Sequence, residues 1–138
     1  MTGGFELVPI GTVASPLSDP ASAPKQGDEG APEAWIVFER GVVPALSGIA
    51  AGDEILVLTW FHLARRDVLR VHPRGDAARP EQGVFSTRSP DRPNPIGLHR
   101  VEVVSVEDAR IRVRNLEAVD GTPVVDVKPL ISSDAAER

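Results

Sequence analysis

Hydrophobic and polar positions alternate most cleanly in the second half of the chain. Over residues 110–114, Ile111 and Val113 are interleaved with Arg110, Arg112 and Arg114. A period of two lays one face of a strand on a core and the other in water. With the preceding HRVEVVSV (99–106) and the short EDA between them, this predicts a hairpin from Leu98 to Arg114. DEILVLTWF (53–61) is a nearly continuous apolar run rich in β-formers and predicts a central strand. AWIVFE (34–39), DVLRV (67–71) and the residues 124–127 predict further strands, and Val84 with Phe85 the start of another. Gly121 and Pro123 break the chain just before the last of these. ELVPIGTV (6–13) is apolar and runs into a turn-rich stretch. Helix is limited to one or two turns within GVVPALSGI (41–49), because Pro44 and Gly48 interrupt it. The expected fold class is mainly β: a small single-domain β-barrel, or strongly bent sheet, of about six to eight short strands with minimal helix. Open edges in such a fold need cover, and a homodimer is one way to supply it.

Three stretches fall outside that pattern. Residues 14–33, ASPLSDPASAPKQGDEGAPE among their neighbours, are a long loop by composition, and loops of that length are usually functional or disordered. Residues 131–138 are expected to form a flexible tail. The third stretch, GVFSTRSPDRPNPIGL (83–98), is the most unusual. Pro90, Pro93 and Pro95 forbid helix and interior strand and push the residues before them toward extended conformations. Arg88, Arg92 and Asn94 are thereby carried on a pre-ordered backbone, which lowers the entropy lost on binding an anionic or planar ligand. Arginine offers a rigid donor fork for carboxylate or phosphate, and asparagine both a donor and an acceptor. The alternative is a rigid loop whose polar groups tie down its own backbone.

Composition narrows the class. The chain has 138 residues, 41% hydrophobic and 25% charged, as expected of one globular domain. The absence of cysteine excludes disulfides, thiolate catalysis and cysteine zinc sites. No apolar run approaches the roughly 18 residues a membrane helix needs, and the N-terminus lacks a signal-peptide pattern, so a soluble cytoplasmic protein is expected. The formal net charge is −5, but residues 65–114 carry eleven arginines against seven acidic residues. That middle segment either binds phosphate or carboxylate, or coats exposed strand faces.

Other residues carry candidate chemistry. Asp126 and Lys128 alternate with Val125 and Val127, so both should point away from the apolar face, as a working acid and base or as a surface salt bridge. His62 follows the central strand and is either an acid–base group or structural. His72 and His99 add no metal-binding spacing, and no metal site is expected. GxGxxG after a strand, a Walker loop and a GxSxG elbow are all missing, which disfavours a Rossmann nucleotide site and an esterase.

Four blocks, IGTVASP (10–16), APKQG (23–27), GVFSTRSPDRPNPIGL and DGTPVVDVKP (120–129), resemble in content and order one family. It is the small β-barrel methyltransferases that use S-adenosylmethionine to modify threonylcarbamoyl-adenosine beside the tRNA anticodon. The resemblance implies S-adenosylmethionine as cofactor, tRNA as partner and a homodimer whose subunit interface shapes the site. It sets Pro24, Lys25, Gln26, His62, Arg88, Leu98, Glu117, Ala118, Val119 and Asp120 against the cofactor. Lys25 stands where arginine is more usual and Glu117 where aspartate is common. Leu130 stands where the family often has tyrosine.

Methyl transfer from a sulfonium is an in-line displacement, in which the enzyme chiefly aligns donor and acceptor. A conjugated amine is a poor nucleophile and needs a proton acceptor. On this reading Asp126, beside Lys128, takes the proton, and Asn94 orients the amine, by analogy with the Asn-Pro motifs of adenine methyltransferases of other folds. Arg88 and Arg92 bind cofactor carboxylate or RNA phosphate, with Arg92 and Pro95 on the substrate side. Two other readings stand beside it: a methyltransferase acting on a small molecule or another RNA, and a non-catalytic ligand- or RNA-binding barrel. Scarce aromatics, 4% with no tyrosine, weigh against autonomous RNA binding by stacking.

Overall fold

The computed structural model describes residues 3–16 and 32–131. The expected sites at Pro24, Lys25 and Gln26, and the tail from residue 132, lie outside them. Among the described residues eight strands form: β1 (Gly11–Ala14), β2 (Ala34–Phe38), β3 (Glu54–Trp60), β4 (Arg70–Val71), β5 (Gln82–Gly83), β6 (Ile96–Glu107), β7 (Arg110–Arg114) and β8 (Pro123–Pro129). Six of them close into an antiparallel barrel in the order β1-β2-β7-β6-β3-β8, and β8 returns to β1. β4 and β5 make a separate two-stranded ribbon within the long β3–β6 connection.

Period-two patterning explains the closure. Ile111 and Val113 of β7 are fully buried, and with Ile36, Val57, Val101, Val103, Leu116 and Val124 they fill the barrel. The arginines between them face out and meet acids: Arg112 and Arg114 share Glu33 at 2.8 and 3.4 Å, and Arg110 reaches Glu107 at 3.1 Å. The predicted β6–β7 hairpin is present, turning at Asp108 and Ala109, with Asp108 left-handed at φ 48°. Its register shifts between Val103 and Ser105.

Two local expectations are corrected, and a third is made specific. Val84 and Phe85 do not begin a strand; residues 84–86 form a 3₁₀ turn that buries Val84 and leaves Phe85 83% exposed. The strand of this region lies just before, at Gln82–Gly83. The expected strand over 67–71 shrinks to Arg70–Val71, the two residues that find ladder partners, in Gly83 and Gln82. The short helical stretch is a 3₁₀ segment, Arg40–Leu46, with Pro44 inside it.

β3 is apolar throughout for a reason that matters to the site. Ile55, Val57 and Thr59 point into the barrel and are buried. Leu56, Leu58 and Trp60 point outward and are only half-buried. Beside them on β6, Ile96 and Leu98 are exposed. The result is an apolar strip on the outside of a closed barrel.

Candidate functional site

Antiparallel pairing puts the end of β3, the starts of β6 and β8, the end of β1 and the start of β2 at one end of the barrel. The 61–95 connection leaves and re-enters the barrel there, and the 115–122 connection leads into β8 from the same end. The expected site segments that are described all belong to these connections or to the strands they join.

The first connection is zipped to itself. Phe61 N–H donates to the Pro95 carbonyl at 2.8 Å, and Arg92 N–H to the Arg65 carbonyl at 3.1 Å. Arg65 N–H donates to Asp91 Oδ1 at 2.8 Å. Arg66 gives Nε to the Pro93 carbonyl at 2.7 Å and Nη2 to Asn94 Oδ1 at 2.9 Å, while its guanidinium lies 5.1 Å from the Trp60 ring centre. Arg65 also chelates Asp67, and these hydrogen bonds hold the Asp67 carboxyl below the usual carboxylate range. A segment without ladder partners still has to satisfy its carbonyls, and these side chains supply the donors.

Arg92, expected to meet a ligand, also has a task within its own loop. Its Nε donates to the Ser89 carbonyl at 2.8 Å, and Nη2 to the carbonyls of Val84, at 2.6 Å, and Thr87. The guanidinium expected to meet a ligand spends these donors on its own loop, so the prolines are not the sole source of the loop's order. Arg88 differs. Arg65, Arg66, Arg70, Arg79, Arg92, Arg100, Arg110, Arg112 and Arg114 each have a hydrogen bond, ion pair or ring contact, whereas the exposed Arg88 side chain has none among the described residues. His62 is exposed and likewise unbonded among them.

On the barrel wall, Leu98 and Asp126 flank Leu58 in one row across β6, β3 and β8, and Arg100 and Lys128 flank Leu56 in the next. Lys128 Nζ is 3.5 Å from Asp126 Oδ2, so the two do pair, and Val127 N–H donates to Asp126 Oδ1 at 2.9 Å. Asn94 is exposed, whereas Pro95 is buried behind it. In the 115–122 connection, Ala118 and Val119 are buried, so any ligand would meet their backbone rather than their side chains. Asp120 is exposed and accepts the Ser15 N–H through Oδ1 at 3.0 Å, tying the end of β1 to this connection.

Glu117 is joined to His99, read in the sequence only as lacking metal-binding spacing, and through it to Thr59. His99 is buried inside the barrel with Nδ1 2.6 Å from Glu117 Oε1 and Nε2 2.7 Å from Thr59 Oγ1. The Phe61 ring meets the imidazole edge-on at 5.6 Å. Gly97 makes room for it: a Cβ there would lie 2.5 Å from both the Phe61 ring and Thr59 Oγ1. The signal was available, since alternation along β6 places His99 inward with Val101 and Val103, where a polar ring requires partners. The arrangement has the composition of a hydroxyl–imidazole–carboxylate triad, but Thr59 is fully buried and cannot meet a substrate as nucleophile.

Residues 12–135 match the family described as the tRNA-methyltransferase O N-terminal domain. A protein of Methanothermobacter thermautotrophicus named "Probable S-adenosyl-L-methionine-binding protein" is 46% identical over 125 residues, 91% of this chain and 89% of that protein. An "S-adenosyl-L-methionine-binding protein" of Archaeoglobus fulgidus is 46% identical over 122 residues, 88% of this chain and 86% of the relative. Among solved structures, TrmO from Pseudomonas aeruginosa superposes with a TM-score of 0.76 at 27% identity, over 97% of this chain and 61% of that one. The chain therefore spans about three fifths of that solved protein.

Proposed function

The chain belongs to the tRNA-methyltransferase O N-terminal domain family, and on that premise we propose that it is an S-adenosylmethionine-dependent methyltransferase acting on the exocyclic amine of threonylcarbamoyl-adenosine in the tRNA anticodon loop. The observation that carries the reading is Arg88. Nine other middle-segment arginines are committed to acids, carbonyls or rings, while the Arg88 guanidinium is left unpartnered among the described residues, within the proline-rich segment. Guanidinium suits a carboxylate through two parallel hydrogen bonds.

The residues present fit the cofactor in their chemistry. S-adenosylmethionine offers a carboxylate for Arg88, and hydroxyl and ammonium donors for acceptors such as Glu117 and Asp120. His62, Leu98 and the backbone of Ala118 and Val119 complete the proposed set among described residues, with Pro24, Lys25 and Gln26 joining it from the long loop. When bound, the cofactor supplies an electrophilic methyl group on a sulfonium. Asn94 Oδ1 accepts one hydrogen bond from Arg66 and keeps a second lone pair, which accepts the N–H of the amine and orients it while leaving the nitrogen lone pair free to attack. Asp126 takes the amine proton, with Lys128 as countercharge. Pro95 backs Asn94, and Arg92 serves the substrate side by holding the loop in shape.

A second copy of the chain would cover the strip of Leu56, Leu58, Trp60, Ile96 and Leu98, and would bring the partner close to Asp126. A tRNA substrate places the protein in the cytoplasm. Incubation with S-adenosylmethionine and tRNA carrying threonylcarbamoyl-adenosine, followed by mass spectrometry of the nucleosides, should reveal one added methyl group on that nucleoside. Unchanged tRNA in the presence of bound cofactor would move the acceptor to a small molecule or another RNA.

A further inference from the structure

Glu117 has one carboxylate oxygen anchored and one open. Oε1 accepts from His99, and Oε2 makes no hydrogen bond among the described residues. No described side-chain oxygen or nitrogen is both buried and unpartnered, so Oε2 reaches solvent, consistent with a side chain 16% exposed beside a fully buried imidazole. Because an ionised carboxylate only accepts, His99 Nδ1 carries a proton in either charge state of the ring. Nε2 is fixed in turn by Thr59, and the ring plane by Phe61 packed over Gly97. A carboxylate on a connection between strands would ordinarily sample several rotamers. Here a fully buried anchor on the barrel wall removes that freedom.

We propose that His99 is a positioning residue, holding Glu117 Oε1 so that Oε2 is presented to a hydrogen-bond donor of the ligand, a hydroxyl or an ammonium group. This rests on the reading of Glu117 as a cofactor contact. His99 itself has no surface and does not touch the ligand. Its effect on binding therefore passes through Glu117.

That dependence is testable by a double-mutant cycle on S-adenosylmethionine affinity, measured by calorimetry on the full chain. His99→Phe and Glu117→Gln should each weaken binding about tenfold, the scale of losing one hydrogen bond to a charged group. The double variant should bind no more weakly than Glu117→Gln alone, because the histidine acts through the carboxylate. His99→Asn, whose amide nitrogen overlays Nδ1, should stay within about threefold of the wild type. In the ligand-free protein, NMR of ¹⁵N-labelled histidine should show the His99 Nδ1–H proton shifted downfield, and Glu117→Gln should move it upfield. His99→Phe combined with Thr59→Val leaves no buried hydroxyl stranded and serves if the single variant does not fold.

Independent, additive losses from His99→Phe and Glu117→Gln would overturn the proposal while leaving Glu117 a ligand contact. A His99→Asn variant as weak as His99→Phe would also overturn it. Wild-type affinity in Glu117→Gln, or no binding by the wild type, would instead remove the underlying reading of the site, and the proposal with it.

Discussion

Replacing Arg92 with alanine separates a clamp from a ligand contact. Three carbonyls accept from this guanidinium. The Val84 carbonyl also accepts from the Thr87 N–H and hydroxyl, each at 3.0 Å, so it keeps donors in the variant. The Ser89 and Thr87 carbonyls are the ones stranded, in a half-buried part of the loop. Hydrogen bonds from a charged donor contribute roughly 1.5–3 kcal/mol each, and partial rescue by water puts the combined loss at roughly 2–3 kcal/mol. For a chain of this size that lowers the melting temperature by roughly 6–12 °C if the loop and barrel unfold together. If the loop opens alone, the loss appears instead as roughly 30- to 150-fold faster hydrogen exchange at the Thr87 and Arg92 amides. Arg92→Lys should recover less than half of it, because one ammonium cannot reproduce the fork. A variant with wild-type melting and wild-type exchange, but weakened ligand binding, would refute the clamp and restore Arg92 as a direct contact.

Other outcomes follow from the same geometry. Gly97→Ala forces a methyl group to 2.5 Å from the Phe61 ring and Thr59 Oγ1, and overpacking of this kind should cost about 1–3 kcal/mol in chemical denaturation. Leu58→Asp places a charge in the middle of the exposed apolar strip. If a second copy covers that strip, light scattering should show a dimer for the wild type and a monomer for the variant, and a wild-type monomer would exclude this use of the face. Asp126→Asn should change stability by less than about 0.5 kcal/mol, since its pair with Lys128 is solvent-exposed, while methyl transfer falls about tenfold or more.

The barrel was legible because it rests on local alternation. β6 and β7 lie where apolar residues recur at every second position, β2 and β3 where apolar β-formers run on, and the β6–β7 hairpin where two alternating runs flank a short polar turn. Val84 and Phe85 misled because two apolar neighbours carry no period; a 3₁₀ turn buries one and exposes the other. The continuous apolar run of β3 predicts a central strand, and it forms one. It signals a second apolar face on the outside of a barrel, which alternation within one strand cannot distinguish from a strand covered on both sides. For the candidate site, the sequence identified the segments but not the duties within them. Arg88 and Arg92 are equivalent as letters, and only the carbonyls left without ladder partners decide that Arg92 turns inward. His99 was invisible to a search for metal spacing because its partners, Thr59 and Glu117, come from distant segments brought together by barrel closure. Asp126 and Lys128 were placed correctly on an outward face by alternation alone.

On the proposed reading the proline-rich segment serves binding through Arg88, the guanidinium without a partner among the described residues. Calorimetric titration of S-adenosylmethionine into the wild type and Arg88→Ala tests this most directly. Saturable binding is expected of the wild type and an affinity lower by about tenfold or more of the variant, as for loss of a charge-assisted contact, with the melting temperature unchanged because Arg88 bonds to no described residue. No binding by the wild type at millimolar cofactor, or equal affinities in the two proteins, would contradict that reading.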